Sequence, residues 1–76
     1  MIRELSMAVL TRNVPEHSLE AGDVGTVVHV YGGQDAFEVE FITAAGETVA
    51  VLTLTEADIR AMQAREILHA RLLPGV

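Results

Sequence analysis

The sequence contains no cysteine and no lysine, and these absences exclude several classes of structure and function. Without cysteine, a chain of 76 residues has neither disulfides nor thiolate metal sites to stabilise a small core. Its three histidines, His17, His29 and His69, show none of the spacings of zinc ligands. Self-association is the remaining common means of stabilising so small a domain, so we expect a homo-oligomer or a bound protein partner.

Basic residues are scarce as well. Five arginines stand against 11 acidic residues, which gives a net charge of -6. Proteins that bind nucleic acid use clustered lysine and arginine to displace counterions from phosphates, whereas these arginines are scattered along the chain. The charge argues against nucleic acid as a partner. An acidic surface suits a basic protein partner, although solubility alone also accounts for it.

Residue sets typical of binding grooves and active sites are also missing. One tyrosine, two phenylalanines and no tryptophan are too few for the aromatic groove of peptide-binding barrels. Glu38 and Glu40 resemble a carboxylate pair, but no nucleophile or partner acid stands in a recognisable motif, so a solvated strand face explains them better. The segment from Gly22 to Gly25 lacks the Lys-Ser/Thr ending of a phosphate loop. We expect a protein that is not an enzyme, with no catalytic, cofactor-binding or metal-binding residues and no cofactor.

No apolar run approaches the ~20 residues that cross a bilayer. The first five residues are too few and too charged to begin a signal peptide. We therefore expect a cytoplasmic protein that does not bind membranes.

The clearest pattern that is present predicts a β-hairpin. Residues 26–31 and 37–41 are rich in β-branched and aromatic side chains, and turn-forming residues connect them. The second run alternates apolar and acidic residues with the period of a half-buried strand: Phe37, Glu38, Val39, Glu40 and Phe41. The first run carries apolar residues on both faces, which is typical of a strand that bends or is covered on both sides.

Other segments predict the remaining elements. Further strands are expected over residues 7–11, 48–54 and 59–62. In the long loop 13–22, Leu19 is the one residue large enough to pack beneath the chain. Gly22 and Gly25 are expected to form a tight turn with positive φ, in which Asp23 accepts backbone N–H groups.

Two overlapping capping signals, Thr53 with Glu56 and Thr55 with Asp58, predict one helical turn. A long helix from this point has no continuous apolar stripe. Residues 66–73 are therefore either a last strand, which we prefer, or a separate short helix.

This order of elements predicts an all-β fold, a small SH3-like barrel of five to six strands with one short helical turn. A single domain spans residues 1–76, with the barrel at about 6–62 and a C-terminal extension at 63–76. Residues 8–12, 14–17, 22–31, 37–41 and 66–71 resemble a small bacterial family catalogued as domain of unknown function 4926, over nearly the whole chain. This resemblance implies a compact bacterial domain and no catalytic residues. The Gly-Asp-x-Gly-x-Val core is also similar to KOW-type and nitrile-hydratase-β-type SH3-like domains.

The extension carries four large apolar residues beyond the point where a barrel closes: Ile67, Leu68, Leu72 and Leu73. They must be covered, either on the same subunit or by another chain, and they form the candidate interface. Our leading hypothesis is a non-enzymatic protein-interaction module, such as an accessory or antitoxin-like protein that covers a basic partner. The alternative is a KOW-like nucleic-acid-binding domain, which requires Arg60, Arg65 and Arg71 to cluster in space.

Overall fold

The computed structural model describes residues 2–74, and its regular structure consists of strands and two short 3-10 turns. The five strands are β1 (Met7–Leu10), β2 (Val24–Val30), β3 (Phe37–Ile42), β4 (Thr48–Leu54) and β5 (Ile59–Ala61). The 3-10 turns span Pro15–His17 and Gly32–Gln34. Each predicted strand of the barrel is therefore present, and the all-β fold class is confirmed.

All five strands form one antiparallel sheet in the order β4-β3-β2-β1-β5. In this sheet β1 pairs with both β2 and β5. Within residues 2–74, β4 is paired with β3 alone and β5 with β1 alone, so both strands have one free edge. No helix in this part of the chain is long and apolar enough to cross a membrane.

The core lies on one face of the sheet because β3 alternates as the sequence predicts. Phe37, Val39 and Phe41 are buried, while Glu38 and Glu40 lie on the opposite face. The long loop contributes to the same core through Val14 and Leu19, which form an isolated bridge. The packing role predicted for Leu19 is therefore confirmed, and Val14 is its partner.

An irregularity in β2 explains the apolar residues on both of its faces. The register against β3 shifts between Val27 and His29. Val27 is fully buried in the core, whereas Val28 is partly exposed. The strand is thus bent, as the sequence pattern indicated.

Turn predictions hold in part. Gly22 has a positive φ of 96°, and Asp23 accepts the backbone N–H of Glu20 at 2.8 Å. The prediction of positive φ at Gly25 is wrong, because this glycine lies inside β2 with ordinary strand geometry. It is required instead because the backbone and side chains of β3 approach it closely.

The predicted helical turn after β4 is a single turn that does not extend into a helix. Asp58 accepts the backbone N–H and the hydroxyl of Thr55, so one of the two capping signals is used. The other signal is not used, because the Thr53 hydroxyl donates to Glu38 across the sheet. Among residues 2–74, the helical residues are those of the two 3-10 turns, at positions where no helix was expected.

Both alternatives for residues 66–73 are wrong, since residues 62–74 form neither a strand nor a helix. Past the N–H of Glu66, no backbone hydrogen bond holds this segment in the described chain. Side chains fix its path instead, because Glu66 and Arg71 bind groups on the sheet and the long loop. The last two residues of the predicted extension, 75 and 76, lie outside the described residues.

Candidate interaction surface

Two arginine–carboxylate pairs hold the extension against the sheet. The first joins Arg60 of β5 to Glu66, with Nη1 2.7 Å from Oε1 and Nη2 2.6 Å from Oε2. The same carboxylate accepts the backbone N–H of Gln63 at 2.7 Å. This two-pronged geometry orients both side chains and is among the stronger forms of ion pair.

The second pair lies farther along the extension. Arg71 donates from Nε to Oδ1 of Asp23 at 2.9 Å and from Nη2 to Oδ2 at 2.5 Å. Its Nη2 also donates to the carbonyl oxygen of Ser18 at 2.9 Å, and Glu20 lies 3.7 Å from Nη1. Asp23 lies in the turn before β2, where its carboxylate also accepts the backbone N–H of Glu20. The extension is therefore tied to both β5 and the long loop.

Both carboxylates are stabilised in their charged form. The hydrogen bonds from Arg60 and from the backbone of Gln63 lower the pKa of Glu66 from 4.5 to about 2. The hydrogen bond from Arg71 lowers the pKa of Asp23 below its usual 3.8. Because the folded-state pKa values lie below the ordinary ones, the pairs contribute to stability at neutral pH. For Glu66, that contribution is lost progressively as the pH falls from about 4.5, its ordinary pKa, to below about 2, its pKa in the folded protein.

We predict that replacing Arg60 with methionine raises the pKa of Glu66 from about 2 toward 4.5. The reason is that the arginine supplies the largest stabilisation of the charged carboxylate, whereas the Gln63 N–H remains. An NMR titration of the Glu66 side-chain carbonyl carbon from about pH 1.5 to about pH 6, a range that includes both pKa values, measures this shift. Arg65→Met is the control, since Arg65 makes no ion pair with Glu66, and it should leave the pKa unchanged. A pKa near 4.5 in the unmodified protein would contradict the Arg60–Glu66 pair.

In the sheet, Val9 of β1 lies between residues at or beside the two ion pairs. Val9 of β1 is only 4% exposed, yet it does not belong to the core cluster on the other face of the sheet. Its register neighbours are Arg60 of β5 and Val24 of β2. Arg60 holds Glu66, and Val24 directly follows the aspartate that holds Arg71. The residues that anchor the two ends of the extension therefore lie on either side of Val9.

The four predicted interface residues differ in their exposure to solvent. Ile67 is 90% exposed and Leu72 is 93% exposed, while Leu68 and Leu73 are partly exposed. Near its end the extension lines an open cavity together with the β3–β4 turn, residues 43–47. An extension held by ion pairs therefore presents large apolar side chains to solvent.

The other residues singled out in the sequence are dispersed. His29 packs edge-on against Tyr31, with ring centroids 4.6 Å apart. His17 lies in the first 3-10 turn and His69 in the extension, and residues 2–74 contain no group of three side chains suited to a metal. Glu38 and Glu40 accept hydrogen bonds from the hydroxyls of Thr53 and Thr48 on the neighbouring strand.

Three of the five arginines form ion pairs with carboxylates of the same chain. Besides the two pairs of the extension, Arg12 donates from Nε to Asp58 at 2.7 Å. Arg60 and Arg71, two members of the basic cluster that nucleic-acid binding requires, are thus neutralised separately. Sequence reasoning missed these pairs, because partners such as Asp23 and Arg71 are 48 residues apart and no local pattern connects them.

Comparison with known families decides the family of the chain. One family model matches residues 4–61, and its description is domain of unknown function (DUF4926). The chain belongs to this family. The DUF4926 match spans all five strands and ends with β5, so the resembling segment 66–71 and the rest of the extension lie outside it. No curated protein and no solved structure matches the chain.

Proposed function

We propose that this DUF4926 protein is a non-enzymatic, cytoplasmic protein-interaction module that covers a basic protein partner. The observation that carries the proposal is the exposed apolar surface of the extension, defined by Ile67, Leu68, Leu72 and Leu73. Large apolar side chains that are held in place and left uncovered typically mark a binding surface. An accessory or antitoxin-like role is one form that such a module takes.

The distribution of charge supports a basic partner. Asp23, Asp58 and Glu66 form ion pairs with arginines, which leaves eight of the 11 acidic residues against Arg3 and Arg65. One of the eight, Glu20, also lies 3.7 Å from Arg71. The surface charge is therefore almost entirely negative, and a positively charged partner is attracted to it at long range.

The test is to purify the protein gently from its own host, identify any stoichiometric partner, and reconstitute the complex from the two purified proteins. We expect the double substitution Ile67→Ser and Leu72→Ser to weaken the complex about tenfold or more, because exposed apolar anchors at an interface contribute most of its affinity. Titration calorimetry measures the dissociation constant. Both side chains are almost fully exposed, so the folded structure is expected to remain intact.

Leu5→Ser is the matched control. Leu5 is also largely exposed, at 81%, but lies before β1, outside the extension, and its substitution should leave the affinity unchanged. A clean homo-oligomer with no second polypeptide, or equal binding by the double variant, contradicts the proposal.

A further inference from the structure

β4 is an edge strand of the sheet, and two glutamates lie on the face beside its free edge. We propose that an extended basic segment of a partner protein adds to this edge as a new strand, with two arginine or lysine side chains, two residues apart, reaching Glu38 and Glu40. This inference deepens the proposed function, on which it rests, by naming the segment that the partner contributes.

The edge itself is suited to strand addition. β4 is seven residues long, and its backbone is paired on one side only. It contains no charged residue and no proline, the features that usually protect an exposed strand edge from pairing with another chain. An unprotected edge of this length binds extended peptides through main-chain hydrogen bonds.

The face beside this edge carries the two glutamates in register with β4. Glu40 lies between Thr26 of β2 and Val51 of β4. In the next outward-facing row, Glu38 lies between His29 and Thr53. Threonine hydroxyls on β4 hydrogen-bond both carboxylates, which lean toward the free edge as a result. None of the five arginines lies on β2, β3 or β4, and within residues 2–74 neither glutamate forms an ion pair with an arginine.

The spacing matches a strand on the edge of β4. Residues two apart on a strand are about 6.7 Å apart and point to the same face, so one pair of side chains in the added strand lies opposite Val51 and Thr53. Such a strand is two strand spacings, about 9.6 Å, from β3. An arginine or lysine spans this distance by laying its apolar stem across β4 and its charged end on the glutamate. Val51, which is 51% exposed, offers the apolar surface that such a stem needs.

The same geometry argues against a second copy of the chain as the occupant. No two of its arginines, at positions 3, 12, 60, 65 and 71, are two residues apart, and it has no lysine. Two copies also repel each other through net charges of -6. An extended basic segment of a partner can both pair with the backbone of β4 and form ion pairs with the two glutamates. The segment we infer therefore alternates basic and apolar residues.

The experiment uses the full chain and a blocked octapeptide of four Arg-Val repeats as the probe. We expect the peptide to protect backbone amides of residues 48–54 from hydrogen exchange. Substituting both Glu38→Gln and Glu40→Gln should weaken binding about tenfold, because two charge pairs are lost. Glutamine retains the oxygen that accepts the threonine hydroxyl, so the face stays in place. Val51→Lys is a second variant, and its added positive charge beside Glu40 should also weaken binding.

The control is the double variant Glu16→Gln and Glu56→Gln, which changes the net charge equally at exposed carboxylates outside the β2–β4 face. It should change the affinity less than twofold. Equal weakening by both double variants, or protection confined to residues outside 48–54, overturns the inference.

The experiments also distinguish failure of this inference from failure of the proposed function. If the natural complex depends on Ile67 and Leu72 but not on Glu38 and Glu40, the proposed function stands and the β4 site does not.

Discussion

Phe37→Ala should abolish cooperative folding or reduce it to a marginal level. Phe37 is fully buried at the start of β3, between Val30 and Leu54 in the sheet. Truncating a buried phenylalanine to alanine costs about 3–5 kcal/mol, because both transfer free energy and packing around the cavity are lost. At about 0.05–0.15 kcal/mol per residue, a domain of this size has only about 4–11 kcal/mol of stability. One substitution therefore removes a large share of the total.

Urea unfolding followed by far-ultraviolet circular dichroism measures this effect, since the chain has no tryptophan for fluorescence. Phe41→Ala should behave similarly, because Phe41 is also buried in the core. Ile42→Ala is the control on the same strand, and its half-exposed side chain should cost about 1 kcal/mol or less. A Phe37→Ala protein that unfolds at the same urea concentration as Ile42→Ala contradicts the role of Phe37 in the core.

The elements that were predictable from the sequence are those whose hydrophobic pattern is local. In β3, the alternation of Phe37, Val39 and Phe41 with two glutamates determines which face is buried, and one strand contains the whole signal. β4 was predicted with its observed bounds for the same reason. The capping signal of Thr55 and Asp58 also lies within four residues, and the structure uses it.

The extension was not predictable because side-chain pairs with other elements determine its path. Its helix propensity and apolar residues favour regular structure locally, but Arg71 binds Asp23, 48 residues away, and Glu66 binds Arg60 on β5. No pattern within a short window reports the Asp23–Arg71 pair. The four interface candidates were identified for a different reason, namely that large apolar residues continue past the last strand of the barrel. That argument needs only a count of strands, so it does not depend on the conformation of the extension.

Gly25 shows how a residue can be identified from sequence while its role is misjudged. The expected positive φ belongs to Gly22, and Gly25 is instead pressed against β3. A Cβ at this position would lie 2.7 Å from Cγ1 of Val39, 2.9 Å from the carbonyl oxygen of Glu40 and 2.9 Å from Cε1 of Phe41. One of these atoms belongs to the backbone and the others to the packed core, so none of them moves without cost.

We therefore predict that Gly25→Ala destabilises the fold by about 3 kcal/mol, the upper part of the usual range for overpacking a core. Gly32→Ala is the matched control, because a Cβ there meets nothing within 4 Å and its φ lies outside the left-handed region. That variant should be as stable as the parent, or more stable by up to about 1 kcal/mol, since alanine restricts the unfolded chain. Urea midpoints of the two variants give the comparison. Equal urea midpoints for the two variants would contradict the prediction, because they would show that β3 accommodates a Cβ at position 25 without loss of stability.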